Sequence, residues 1–206
     1  MNKFLNETRV VLIGGSSHTG KSTLSYSLAT RLDWDYLSTD SLARHPGRPW
    51  TNTSKKSIPK QVVEHYESLS VEALFSDVLS HYENNILPQV EAIVSSRIAK
   101  QAEKCLILEG SALYPKLVAN LVARQSVKAI WLTASERFLK NRIELESNFD
   151  NANSDEKYLI MKFIARTLLY DKRMKDEINN LGFNYIDVEH IPTTKELLNK
   201  CLQFCC

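Results

Sequence analysis

Hydrophobic residues fall into two patterns along the chain. Three short runs are continuously apolar: Val10-Val11-Leu12-Ile13, Leu106-Ile107-Leu108 and Ala129-Ile130-Trp131-Leu132. A strand with one face in water alternates apolar and polar residues; a strand covered on both faces does not. These runs therefore predict the buried strands of a parallel sheet. With two weaker β-like runs, the predicted strands cover residues 9–13, 35–38, 105–109, 127–132 and 184–188. Helical periodicity fills the intervals. Segment 21–32 sets Leu24, Leu28, Arg31 and Leu32 on one face, and segments 114–124 and 136–146 follow later strands. One long helical pattern covers 158–180, with Gly182 as its C-cap. Alternation of strands and helices predicts an α/β fold with right-handed crossovers, in one domain over residues 1–206.

The spacing of these elements is uneven. About 65 residues separate the second and third strands, far more than one crossover helix needs. The stretch opens with prolines at 46, 49 and 59. It continues with Val62, Val63, Tyr66 and Leu69, then Leu74, Phe75, Val78, Leu79 and Tyr82. Pro88 punctuates it, and Val90, Ile93, Val94 and Ile98 follow. This predicts a helical insertion over 44–101 with two or three helices, in which Tyr66, Phe75 and Tyr82 belong to the helix core. A second excursion, residues 147–156, is polar and turn-rich and predicts a loop.

Glycine usage points to chemistry. The chain has six glycines, and Gly14, Gly15 and Gly20 fall within seven positions directly after the first strand. They frame Gly15-Ser16-Ser17-His18-Thr19-Gly20-Lys21-Ser22-Thr23, the Gly-x4-Gly-Lys-Ser pattern of a phosphate-binding loop. The glycines let successive backbone N–H groups turn toward phosphate oxygens. The helix starting at Lys21 aims its positive end at the same anion. Lys21 supplies a point charge for the β- and γ-phosphates, and Ser22 a hydroxyl for Mg²⁺. His18 reads as a permissive loop position whose side chain points away. The Asn-Lys-x-Asp and Asp-x-x-Gly patterns of GTPases are missing, as is the Asp-Glu pair that many ATPases carry after the third strand.

On these residues the chain resembles the small-molecule and nucleotide kinases of the phosphate-loop superfamily, such as adenylate, shikimate and gluconate kinases. The resemblance rests on the loop at 15–23, Asp40 beyond the second strand and Glu109-Gly110 at the third. Leu132-Thr-Ala-Ser-Glu136 leading to Arg142, and Arg166-Thr-Leu-Leu-Tyr170, extend it over nearly the full length. The segment Ser38–Trp50 also looks like uncharacterised kinases labelled 2-phosphoglycerate-kinase-like. The resemblance implies a three-layer fold with a five-stranded parallel sheet of order 2-3-1-4-5. It also implies an acceptor-binding helical insertion at 44–101 and a lid at 143–160.

The implied activity is transfer of the γ-phosphoryl group of ATP, with Mg²⁺, to a small and anionic hydroxyl or phosphate acceptor. Asp40 would accept the acceptor's proton or hold a Mg²⁺ water, unless it only caps a helix starting at Ser41. Glu109 would hold Mg²⁺ through water or bind the acceptor beside Gly110. Arg142 would lie near the base and Arg166 near the transferred phosphate, with Arg137 and Arg173 as alternatives. Arg44 and Arg48, in a proline-stiffened loop with His45 and Trp50, suit an anionic acceptor. Two rival functions stay open: a kinase of a nucleoside, nucleotide or antibiotic, and a nucleotide-dependent switch with little transferase activity.

Composition narrows the partners. Twenty-six basic against 24 acidic residues give a net charge of +2, too weak to predict a nucleic-acid or membrane surface as partner. No apolar run approaches the ~18 residues of a membrane span. The first eight residues are polar and charged, unlike a secretory signal, so a cytoplasmic location is expected. Cys105 reads as a small buried thiol, and Cys201, Cys205 and Cys206 as reduced thiols at the end of a last helix.

Overall fold

The computed structural model describes residues 7–43, 45–51, 57–99 and 104–205. Five strands form one sheet: β1 (Val10–Gly15), β2 (Asp35–Ser38), β3 (Leu106–Glu109), β4 (Val127–Thr133) and β5 (Tyr185–Asp187). All four pairings are parallel, and the order is β2-β3-β1-β4-β5. This is the order expected from the resemblance.

The continuous apolar runs divide between the two faces of the sheet. Val10 and Leu12 of β1, with Leu106 and Leu108 of β3, pack on one side. There they meet helices α4 (Leu87–Ala99), α5 (Pro115–Val122) and the second half of α7 (Ser154–Asn180). Val11, Ile13 and Ile107 pack on the other, against α1 (Lys21–Leu32), α6 (Glu136–Glu146) and α8 (Thr194–Cys205). Period two on a doubly covered sheet thus produces three layers. Cys201 is fully buried on the α8 side and acts as an apolar residue there; Cys206 lies outside the described residues. Cys105 is half-buried, with its Sγ 3.4 Å from the Thr8 carbonyl.

The insertion contains α2 (Lys60–Ser68) and α3 (Val71–His81), and α3 runs through a π turn at Tyr82–Ile86 into α4. Pro88 therefore does not separate two helices. It lies in the first turn after the π segment, where its missing N–H is absorbed by the widened turn. A third apolar cluster joins α2 and α3 to α6 and the first half of α7 through Val62, Tyr66, Leu74, Ile143, Leu159, Ile160, Phe163 and Ile164.

The polar excursion is shorter than its composition suggests. A 3₁₀ turn at Phe149–Asn151 interrupts it, and α7 starts at Ser154 rather than 158. Asn153 and Glu156 form a reciprocal capping box that satisfies the first orphan N–H groups, so polar residues begin the helix instead of delaying it. Helix α7 ends at Asn180, and Gly182 follows with φ 65°. Among the described residues, no helix is long and apolar enough to cross a membrane.

Candidate functional site

The glycine-rich segment leaves β1 at Gly15 and enters α1 at Lys21. Two residues between them adopt left-handed backbone, His18 at φ 67° and Gly20 at φ 85°. Gly20 is the N-cap of α1 and has no side chain to cap it, so the first N–H groups of the helix face the loop's concavity. The loop closes on its own carbonyl: Thr19 Oγ1 donates to Ser16 O at 2.9 Å and Lys21 Nζ to the same oxygen at 2.7 Å. Burial lowers the Lys21 pKa, opposed by the carboxylates of Glu109 and Asp40.

Glu109 is 2% exposed at the end of β3. Ser22 Oγ donates to its Oε1 at 3.1 Å, and Tyr36 OH to the same atom at 3.0 Å. Burial and the Glu109 charge push the Tyr36 pKa to about 12, so it is a donor at neutral pH. The next residue, Gly110, is extended backward at φ 148°, and a Cβ there would stand 1.8 Å from Thr39 Oγ1. Only glycine lets β3 end against the turn that carries Asp40. That turn is a 3₁₀ segment, Thr39–Ser41, capped by Ser38, whose Oγ accepts the Asp40 N–H at 3.4 Å. Asp40 is thus not the cap of a helix starting at Ser41. Its exposed carboxylate lines the cavity beside Lys21.

Three cavities adjoin in series. One of about 440 Å³ lies over the phosphate loop, lined by Lys21, Ser22, Asp40, Arg48, Glu109 and Arg142, among others. It shares Gly20, Thr23 and Arg142 with a second of about 310 Å³, bounded by Phe138, Val188, Ile191 and Thr193. It shares Ser17, Asp40, Arg48 and Ser111 with a third of about 290 Å³, reaching His45, His81, Tyr82, Phe163 and Arg166. Asp40 and Arg48 thus stand where the middle cavity meets the third.

The arginines separate by position. Arg142 donates to the His18 carbonyl at 3.1 Å and lies 4.8 Å over the Phe138 ring. Arg137 is largely exposed and pairs at 3.5 Å with Glu189, which lines the second cavity. Arg166 enters the third cavity with its guanidinium 4.7 Å over Phe163 and 5.6 Å over Tyr66. Its Nη1 is buried without a hydrogen-bond partner. Arg173 is exposed on the far part of α7. Arg48 pairs with Glu146 of α6. Arg44 lies outside the described residues.

Three groups do more than the sequence suggests. His18 is not a permissive position. Its side chain is 4% exposed, lies near Trp50 and Phe163 with ring centroids 6.1 and 6.0 Å away, and meets Glu146 Oε2 at 2.9 Å. Burial lowers its pKa to about 4, so the ring is neutral. Tyr82 lines the third cavity rather than standing wholly in the helix core. Asp171 was missed: it is 4% exposed, accepts Ser16 Oγ at 2.8 Å and is held by Lys175 Nζ at 2.8 Å. Its signal was periodic, since it falls on the apolar stripe of α7 with Ile164, Thr167, Met174 and Ile178.

Sheet order and helix placement define the class of fold: it is that of the phosphate-loop kinases, with the Gly-x4-Gly-Lys-Ser segment between β1 and α1. Comparison with known proteins agrees on the fold. The structure is similar to a gluconokinase from Sinorhizobium meliloti 1021, with TM-score 0.53 and 16% identity over 95% of this chain and 90% of that one. It is also similar to an uncharacterized protein from Eubacterium ventriosum ATCC 27560, with TM-score 0.51 and 10% identity over 95% and 97% of the two chains. No family model and no curated protein matches the sequence.

Proposed function

We propose that the protein is an ATP- and Mg²⁺-dependent phosphotransferase acting on a small anionic acceptor. The observation that carries this reading is the series of three cavities, with Asp40 and Arg48 where the cavity over the loop meets the one that reaches Arg166. A base between Phe138, Arg142 and the 188–194 segment, phosphates over the loop and an acceptor beside Arg166 would lie in line. Phosphoryl transfer needs such alignment and charge neutralisation more than covalent help.

The chain's own groups divide the work as follows. The loop N–H groups and Lys21 hold the β- and γ-phosphates; Lys21 leaves the Ser16 carbonyl to do so. Asp40 accepts the proton of the acceptor hydroxyl. Arg166, with its unpartnered Nη1, and Arg48 bind the acceptor's anionic group and bear charge developing on the transferred phosphoryl. Ser22, Glu109 and Asp40 offer a hydroxyl and carboxylate oxygens, a hard donor set that fits Mg²⁺. When bound, the ion neutralises charge on the phosphates. Residues 143–160 act as a lid whose closure excludes water.

The test is ADP release measured with and without a panel of sugar acids, hydroxy acids and their phosphates, with products read by mass. Acceptor-dependent release is expected for the wild type. Lys21→Ala should lower it by roughly 10²–10³-fold, the scale for losing one preorganised charge partner of a transition state. Asp40→Asn should keep nucleotide binding while depressing transfer. Slow hydrolysis indifferent to every acceptor would favour the nucleotide-switch reading instead.

A further inference from the structure

We propose that His45, His65 and Asp77 form a binding site for a divalent transition-metal ion of the zinc class, in the outer wall of the acceptor cavity. The three residues come from separate elements: His45 from the loop after β2, His65 from α2 and Asp77 from α3. One donor atom from each lies within 4.8 Å of the others. Asp77 Oδ2 is 3.1 Å from His45 Nε2 and 3.8 Å from His65 Nε2, and the two rings meet edge to face at 5.4 Å.

The arrangement is unsatisfied as it stands. His65 Nε2 is buried and has no hydrogen-bond partner. A buried ring nitrogen left so costs about 1–3 kcal/mol in general, and native interiors rarely tolerate it. Beside it, His81 Nε2 is also buried and unpartnered, with its ring 5.1 Å from His45. Two imidazoles converge on one carboxylate, which can accept from both but leaves His65 too far to donate. An ion among the three would take the lone pairs of both rings and one carboxylate oxygen. Burial lowers the pKa of His45 to about 4 and also lowers that of His65, so both rings are neutral, the form that ligates.

The donor set selects the ion. Two nitrogens and one oxygen suit zinc and its neighbours in the first transition row, at about 2.0–2.2 Å. Mg²⁺ prefers all-oxygen octahedral sites, so this site is chemically distinct from the hydroxyl and carboxylates beside the phosphate loop. Asp77 is half-exposed and free to close the remaining distance. Two features oppose the ion: the Arg166 charge nearby, and a 3.5 Å contact from Gly47 N–H to His45 Nδ1 that ligation through Nε2 would give up. The Asp77 carboxylate offsets the first, and the second is long for a hydrogen bond. Filled, the site would tie α2, α3 and the loop carrying Arg48 and Trp50 into one rigid wall. It stands apart from phosphoryl transfer and survives if that reading fails.

Full-length, tag-free, metal-stripped protein titrated with Co²⁺ provides the test. We expect one ion per chain, a visible d–d spectrum without the intense near-ultraviolet band of thiolate ligation, and displacement by one equivalent of Zn²⁺. His65→Gln and Asp77→Asn should each weaken binding by about 10- to 100-fold or more, the range seen even for residues one layer removed from a metal. Wild-type protein should melt at a higher temperature with Zn²⁺, and excess Mg²⁺ should not displace the bound Co²⁺, readouts that do not depend on either variant folding. Absence of saturable binding, a thiolate band from the cysteines, or unchanged affinity in both variants would overturn the proposal.

Discussion

At the scale of single residues, the site depends on close approach as much as on charge. Gly110 links the strand that carries Glu109 to the turn that carries Asp40. Its φ of 148° and the 1.8 Å gap a Cβ would have to Thr39 Oγ1 leave no room for a side chain. Gly110→Ala should therefore destabilise the fold by about 1–3 kcal/mol through backbone strain and overpacking. Urea denaturation followed by circular dichroism measures this. Adding Thr39→Ala should recover only part of the loss, because the hydroxyl clash is removed and the backbone conformation is not. Full recovery would mean that sterics alone fixed this glycine, and no loss would mean that the turn moves freely. His18 shows the same economy in reverse. It accepts a left-handed backbone at φ 67°, and its ring is held by Trp50, Phe163 and Glu146. No local pattern in the sequence could show this, because all three partners lie far along the chain.

At the scale of elements, α6 and the loop at 45–51 meet across the mouth of the phosphate cavity. Glu146 pairs with Arg48 through one carboxylate oxygen, and its other oxygen lies 2.9 Å from His18 Nε2. Until a ligand displaces it, this pair sets a negative charge at the mouth of that cavity and holds Arg48 back from the acceptor role proposed for it. Glu146→Gln should tighten ADP binding by about 2- to 5-fold, the scale of one partly exposed ion pair, and the gain should shrink as salt is raised. Calorimetric titration at two ionic strengths decides it. Weaker binding in the variant would mean that the pair builds the site instead of guarding it. The elements themselves were legible to different degrees. Continuous apolar runs predicted the strands, because a doubly covered strand has no polar face to confuse the pattern. Helix α7 starts earlier than the apolar periodicity predicts, because Asn153 and Glu156 are polar in composition but cap the helix. Asp40, Glu109, Arg142 and Arg166, which the resemblance singles out by their place after strands and on helices, line the adjoining cavities. The histidine cluster was not legible, since His45, His65 and Asp77 converge only after the insertion folds against α7.

At the scale of the whole molecule, buried titratable groups set how stability responds to pH. Burial lowers the pKa of His18 and His45 to about 4 and also lowers that of His65. The unfolded chain binds protons at these histidines near pH 6.5; the folded chain binds them only nearer pH 4 at His18 and His45, and at a pH below the ordinary value at His65. Stability from the neutral rings is therefore fully present above about pH 6.5 and is lost as pH falls toward 4. Asp171 acts with the opposite sign. Burial raises its pKa, so protonation in the folded state relieves its desolvation as pH falls. Three histidines against one carboxyl decide the direction: the melting temperature should fall between pH 6.5 and 4. The loss should be smaller in a His45→Gln variant, which removes one of the three, whereas Asp171→Asn should make it steeper by removing the opposing group. Melting curves in metal-free buffers at half-unit steps measure these slopes. Bound zinc should then deepen the pH dependence further, because the ion competes with protons for the lone pairs of His45 and His65. A wild-type melting temperature flat across that window would mean that these rings reach solvent more freely than their packing allows.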